Sequence, residues 1–383
     1  MIRFLTAGES HGKCLTAIVE GFPSNLSIDL KRINQKLAER QGGYGRGGRM
    51  RIETDTVEIL SGVRGGKTLG SPIALKIENK DWANWKDTMD PENIIMIEEV
   101  TKPRPGHADL SGAIKYNHTD IRNVLERASA RETAIRVAVG SLCQHLLEDF
   151  GIMLFGHVIQ IGNVRSSTSF NQQLFMDRMK SSELKCLDSE AEGDMIKFID
   201  EVKKNGDSVG GVVEVVATGV PVGLGSHVNW DRKLDARIAG ALMSIQAIKG
   251  VEFGLGLKSA ELPGSQVHDE IAFEKERGYI RTTNNSGGIE GGMTNGEDIV
   301  VRAFMKPIPT LYKPLKTVDV NSKTVHEASV ERSDICAVPA AGVVAECTVA
   351  WEIASAMVEK FAGDSIEEMK RNYDEYMKYV KSR

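Results

Sequence analysis

Cysteine is scarce in this chain of 383 residues: there are five, Cys14, Cys143, Cys186, Cys336 and Cys347, widely separated and with no CxxC pair. The scarcity argues against a disulfide framework and against a structural zinc site, so no metal is expected. Long apolar runs are missing as well; nothing reads as the ~20 consecutive apolar residues that span a bilayer, and no membrane partner is expected. The first residues, MIRFLTAGESHGK, lack the basic, apolar and small-residue zones of a secretory leader, which points to a cytoplasmic protein. Neither sign of charge dominates: 48 Lys plus Arg against 53 Asp plus Glu leave −5. That balance disfavours a nucleic-acid-coating protein. Without a Pro/Ser linker or a repeat, residues 1–383 read as one large domain, although length alone allows two or three.

Glycine is plentiful: 38 residues, about a tenth of the chain, against a usual ~7%. Many of them gather in a few clusters, where function is expected. Between the clusters, the apolar spacing predicts one long helix over 119–150 with Gly151 as its stop, and a second over 231–249 with Gly250 beyond its end. The β-branched runs GIMLFGHVIQIG, GGVVEVVATGV, PIALKI and DIVVRAFM predict strands. Long helices mixed with strands, without regular βαβ alternation, favour an α+β fold. Residues 165–208 read as a polar surface excursion with one amphipathic helix, its Met195, Phe198, Ile199 and Val202 turned inward. Residues 364–383 read as a C-terminal helix opened by Ser365 and Glu368.

Three familiar patterns lack the context they require. Gly8-Glu9-Ser10-His11-Gly12 fits the GxSxG elbow of a hydrolase, but too little chain precedes it to build the sheet that elbow needs. Gly43-Tyr44-Gly45-Arg46-Gly47-Gly48 fits GxGxxG, but it follows the helical stretch IDLKRINQKLAERQ instead of a strand. Ser61-Gly62-Val63-Arg64-Gly65-Gly66-Lys67-Thr68 has Ser61 where a phosphate-binding P-loop requires glycine.

Other segments converge on anion chemistry. Arg40, Arg46, Arg49 and Arg51 are separated by five glycines; glycine lets backbone amides approach a ligand, and guanidinium forks match phosphate and carboxylate. In KPRPGHAD, two prolines stiffen the backbone around Arg104 and His107. Arg127 and Arg131 would share one face of the long helix, where like charges repel unless an anion lies between them or acids such as Glu126 and Glu132 pair with them. A polar glycine loop follows at 281–296, then the rigid segment KPIPT at 306–310, then Glu331-Arg332-Ser333-Asp334.

Taken together, TAGESHG, QGGYGRGGRM, RPGHADLSG, ERASARET, ALMSIQAIKG, TNNSGGIEGGM, KPIPTL and RSDICAVPAAG resemble the chorismate synthase family in order and spacing, from residue 2 to about 361. The resemblance implies a β-α-β sandwich with long central helices between antiparallel sheets, assembled as a homotetramer. It also implies an anti-1,4-elimination of phosphate from 5-enolpyruvylshikimate 3-phosphate to give chorismate, the last step of the shikimate pathway, with reduced FMN required. By the family's motifs, Arg40, Arg46, Arg49, Arg104, Arg131 and Arg332 would clamp the substrate's phosphate and two carboxylates. His11 would protonate the departing phosphate and His107 would face the reduced flavin. Asp334 would assist the flavin in taking the substrate proton. Flavin contacts carry over to Arg127, Ala128, Ser129, Gln246, Ala247, Gly291, Lys306, Pro307, Ile308, Pro309, Thr310 and Arg332. Nucleotide contact carries over to Arg40 and Arg46, with NADPH only as a reductant and an external flavin reductase as the expected electron source. Ser286, Thr294 and the segment CTVAWEIAS depart from the usual family pattern. Two other classes stay open on sequence alone: a serine esterase using Ser10, and a flavin- or polyanion-binding module without turnover.

Overall fold

The computed structural model describes residues 2–47, 54–93, 99–275, 277–329 and 334–383. Two antiparallel sheets form its outer layers. The first contains β1 (Arg3–Ala7), β2 (Cys14–Glu20), β3 (Val57–Ser61) and β4 (Ile73–Glu78), in the spatial order β1-β2-β4-β3. The second contains β5 (Met153–Ile161), β6 (Val164–Arg165), β7 (Gly211–Thr218), β8 (Ile248–Phe253) and β9 (Ile299–Met305), in the order β8-β9-β7-β5-β6. The helices are α1 (Leu30–Gln41), α2 (Trp82–Met89), α3 (Asp109–Tyr116), α4 (Arg122–Ala128), α5 (Thr133–Glu148), α6 (Ser189–Lys204), α7 (Leu234–Met243), α8 (Val338–Phe361) and α9 (Ile366–Ser382). A two-turn helix at Gln172–Arg178 lies among them. The expected α+β sandwich is the observed one: α5 lies on β2 and β4, α8 lies on β5 and β7, and the two helices pack against each other.

That helix contact depends on small residues. A Cβ added to Gly140 of α5 would stand 2.4 Å from both Cβ and O of Cys347 in α8, so only glycine lets the axes approach this closely. Almost every side chain of α8 is buried, which explains why no amphipathic stripe announces it. Its 24 residues are long and apolar enough by length and composition to cross a membrane, although Glu346 and Glu352 keep it from being one consecutive apolar run. Here it fills the space between the two sheets instead.

Two predicted helices are shorter than their periodicity suggests. The 119–150 helix is broken into α4, a 3-10 turn at Ala130–Glu132 and α5. Ser129 at the break is extended (ψ 142°), its hydroxyl accepting from the Arg131 N–H, and Ala130 O is taken by Arg40 Nη2 and Thr133 Oγ1. The 231–249 helix ends at Met243, and Gly250 lies within β8. Between them Ala247 adopts φ +68°, a left-handed conformation that no helix continues through. The 165–208 excursion carries α6 with Met195 and Ile199 buried, and places Phe170 and Phe175 against Phe155 and His157 of β5.

Candidate active site

Ser10 and His11 occupy the tight turn of the β1–β2 hairpin, so GESHG is no strand-turn-helix elbow. Ser10 is 3% exposed and accepts from Ser129 Oγ at 3.2 Å; a buried hydroxyl in a hairpin offers no esterase nucleophile. The turn is held from below by Asn79, whose Nδ2 donates to Glu9 O and Gly12 O. His11 is held from the side by Glu126 of α4. The backbone N–H of His11 donates to Glu126 Oε2 at 2.8 Å, and Nδ1 lies 2.9 and 3.0 Å from the two carboxylate oxygens. The imidazole stacks on Trp85 of α2, centroids 4.1 Å apart.

The break at Ser129 sends the neighbouring arginines in different directions, so the predicted shared face of Arg127 and Arg131 does not form. Arg127 donates to Gly8 O, Thr6 O and Thr6 Oγ1, clamping the end of β1. Arg131 turns inward: Nη1 meets Asp55 Oδ1 and Oδ2 at 2.6 and 2.8 Å, and Nε meets Asn79 Oδ1 at 2.9 Å. Arg40, at the end of α1, donates to Thr133 Oγ1 and Ala130 O and stands 3.7 Å from the same Asp55. Burial pushes the Arg40 guanidinium down to about 10, Asp55 opposes that, and Arg131 and Arg46 reinforce it. Two guanidinium groups thus converge on the carboxylate of Asp55, a concentration of buried positive charge of the kind that receives an anionic ligand.

The glycine loop after α1 brings Arg46 to Asp334: Nη1 lies 2.9 Å from Oδ2, while Gly47 N–H donates to Oδ1 at 2.6 Å. Gly45, at φ +86°, makes this close approach; its carbonyl accepts from Ile335 and Cys336 N–H, and a Cβ there would meet Cys336 Cβ at 2.9 Å. Tyr44 Oη donates to Asp200 of α6, so the excursion supports this loop, a role its polar sequence did not suggest. Arg49, Arg51 and Arg332 lie outside the described residues.

Asp109 organises the proline-stiffened segment. It is fully buried; Oδ2 accepts from Arg104 N–H and Nε at 3.0 and 2.8 Å, and Oδ1 from Arg104 Nη2 at 3.1 Å, with His107 Nδ1 at 2.5 Å. Burial alone would raise its carboxyl, but the hydrogen bonds from His107 and Arg104 outweigh it and hold the carboxyl well below the usual range. Lys306 Nζ donates to Gly106 O at 2.6 Å and Lys306 N–H to Ala247 O, so the 306–310 segment joins the His107 turn to Gln246 and Ala247. Ile308 O accepts from Ser208, and Thr310 is buried. Gln246 Nε2 donates to Glu132, whereas its buried Oε1 has no hydrogen-bond partner among the described residues. Ala128 precedes the Ser129 break, beside Arg127. Gly291 lies in a separate turn whose neighbour Gly292 packs on Lys233 and bonds Leu234 N–H; at φ +59°, a Cβ on Gly291 would meet open space.

Glu126, Asp109, Asp55, Asn79 and Trp85 were not singled out from sequence as site residues. Asp109 and Glu126 lie inside the quoted motifs RPGHAD and ERASARET, where they could have been found. Asp55 and Asn79 lie in ordinary stretches and reach the site only through the fold. Among the described residues no cluster of His, Cys, Asp or Glu could hold a metal.

The family model described as chorismate synthase matches residues 2–358. A chorismate synthase of Geobacter metallireducens is 60% identical over 395 residues, covering all of both chains. One of Desulforamulus reducens is 59% identical over 385 residues with the same coverage. A crystal structure titled as chorismate synthase superimposes with a TM-score of 0.82 at 47% identity, covering 100% of this chain and 99% of that one.

Proposed function

The chain belongs to the chorismate synthase family, and from that premise we propose that its cluster of buried arginines and histidines is where 5-enolpyruvylshikimate 3-phosphate loses its phosphate. The reaction is a carbon–oxygen lyase step: an anti-1,4-elimination that gives chorismate, the last step of the shikimate pathway. The family depends on reduced flavin. The observation that carries the site assignment is the convergence of Arg40 and Arg131 on the carboxylate of Asp55, linked through Asn79 to the turn that holds His11. These two arginines, with Arg46, Arg49, Arg104 and Arg332, neutralise the phosphate and two carboxylates of the substrate. As the C–O bond breaks, its electron pair leaves with phosphate, and His11 gives the proton on Nε2 to a phosphate oxygen. The C–H electron pair becomes part of the new double bond, and Asp334, fixed by Arg46 and Gly47, would help the bound flavin take up that proton. His107, fixed by Asp109, holds its proton toward the flavin side.

The residues fit FMN as the flavin. Gln246 Oε1, without a hydrogen-bond partner among the described residues, can accept a ring N–H, and Gly291 leaves room for a flat group. Lys306, Pro307, Ile308, Pro309 and Thr310, with Arg127, Ala128, Ser129, Ala247 and Arg332, complete the contacts. When bound, reduced FMN supplies electron density to the elimination. An external reductase is the expected source of the electrons; NADPH, if it contacts Arg40 and Arg46, would act only as a reductant of the flavin. The assembly is a homotetramer, for which the outer face of the first sheet offers an apolar surface: Leu5 and Ile18 are cross-strand partners, 74% and 55% exposed. Its place of work is the cytoplasm.

The test is anaerobic incubation with the substrate and chemically reduced FMN, following chorismate absorbance and free phosphate together. Stoichiometric appearance of both is expected. Binding of both ligands without either product would overturn the catalytic assignments. Repeating the run with oxidised FMN and NADPH, with and without an added flavin reductase, decides whether the chain reduces its own flavin: turnover only after the reductase is added is expected, and turnover without it would overturn the external source.

A further inference from the structure

We propose that Glu126 is the positioning residue that makes His11 a directed proton donor, an inference that rests on the acid role given to His11 above. Three contacts converge on this carboxylate. It accepts from the main chain of His11 and lies within 3.0 Å of the ring nitrogen Nδ1 through both oxygens. The carbonyl of the same residue accepts from Ser10 N–H at 3.0 Å. Side-chain exposure is 1% for Glu126 and 16% for His11, so the acid is sealed while the imidazole reaches the surface of the site. Arg122, 3.7 Å from the carboxylate, is too far for a strong hydrogen bond. The short hydrogen bonds of Glu126 therefore go to His11, with Arg122 adding a longer ion pair.

A carboxylate accepts but does not donate, so it fixes the proton of neutral His11 on Nδ1 and leaves Nε2 as the exchanging nitrogen. When Nε2 gives its proton to phosphate, the neutral ring stays hydrogen-bonded to Glu126, and Trp85 stacked on its face prevents it from swinging away. The same turn is tied through Asn79 to Arg131. Anion binding and the proton donor are thus held by one rigid unit.

The experiment compares Glu126→Gln, Glu126→Asp and His11→Asn with the wild type, using reduced FMN and substrate under anaerobic single-turnover conditions, and reads the His11 tautomer by 15N NMR. Glu126→Gln is expected to lower kcat by on the order of a hundredfold or more, with KM nearly unchanged, as when a histidine loses the carboxylate that sets its tautomer. The alkaline limb of its kcat profile should move to lower pH. Glu126→Asp should recover part of kcat. In the wild type alone, neutral His11 should be the Nδ1–H form; finding the Nε2–H form would overturn the proposal even if no Glu126 variant folds. A raised KM with kcat and pH profile unmoved would also overturn it, leaving Glu126 a structural support. Full kcat in His11→Asn would instead remove the acid role of His11, and the tautomer measurement would still decide whether Glu126 fixes the ring.

Discussion

Two histidines in this protein lie beside a buried glutamate, and only one is placed to do chemistry. His11 meets Glu126 through Nδ1 at 2.9 and 3.0 Å and keeps an exposed edge. His157 of β5 is 1% exposed, and its Nε2 lies 3.4 Å from Glu214 Oε1. Glu214 is already taken by Arg302, whose Nε donates to it at 2.7 Å, and Arg302 in turn pairs with Glu252 across the sheet. Among the described residues neither nitrogen of His157 has a hydrogen-bond partner, and Phe170 and Phe175 pack on the ring. Burial, with Arg302 acting in the same direction, pushes His157 down to about 4. Proximity to an acid does not make an acid–base residue. What separates the two sites is an exposed edge on His11 and a carboxylate whose short hydrogen bonds go to the imidazole, with Arg122 at 3.7 Å as a longer ion pair, whereas Glu214 gives its short bond to Arg302.

The largest effect that tests this contrast is on turnover. His11→Asn and His107→Asn should each lower kcat by roughly 10²–10⁴, measured as chorismate formation in anaerobic stopped flow, with the fold intact by circular dichroism. His157→Phe should leave kcat within a factor of two. Equal losses in all three would erase the distinction. The next largest is Asp334→Asn, expected to bind substrate and reduced flavin but to eliminate on the order of a thousandfold more slowly. Full single-turnover activity in that variant would remove the carboxylate from the mechanism.

The same contrast shows what the sequence could and could not reveal. His157 sits in a β-branched run, GIMLFGHVIQIG, that reads correctly as a strand, and its burial follows from that reading. His11 is different. On local pattern alone GESHG points to Ser10, and His11 emerges only through the family resemblance of the whole segment set. The acids behind the site are less legible still. Asp55 is a single carboxylate distant in sequence from Arg40 and Arg131, brought to both by β3, α1 and the break at Ser129. Periodicity hid that break, because α4 and α5 continue one apolar stripe while their backbones do not continue one helix. It hid α8 for the opposite reason: a helix buried all round has no stripe to detect.

A third test concerns stability and acts on His157 alone. Its folded value, about 4, lies below the 6.5 of an unperturbed imidazole, so the unfolded chain binds the extra proton between these values. Its contribution is therefore complete above pH 6.5 and is lost as pH falls toward 4, by roughly 3 kcal/mol. Urea unfolding at pH 7, 5.5 and 4.5 should show this loss, and His157→Phe, with an apolar ring among Phe170 and Phe175, should remove that part of the slope. An unchanged slope in His157→Phe would mean that other groups carry the acid sensitivity.

The smallest effect sets the baseline for a contact far from either histidine. Ser365 opens α9, its hydroxyl accepting from Glu368 N–H, while the Glu368 side chain accepts from Asp364 N–H. The start of α9 is also laced to the loop before α1, through Ser24 N–H to Asp364 O and Ile366 N–H to Ser24 O. Ile366 and Met369 bury the first turn, so the cap works together with packing. Ser365→Ala should therefore cost about 1 kcal/mol, read as a small drop in the urea midpoint, with kcat and its pH profile unmoved. A change in kcat from that substitution would mean that rigidity at the edge of the sandwich reaches the β1–β2 turn, and the sharp division between chemically placed and merely buried polar groups would have to be redrawn.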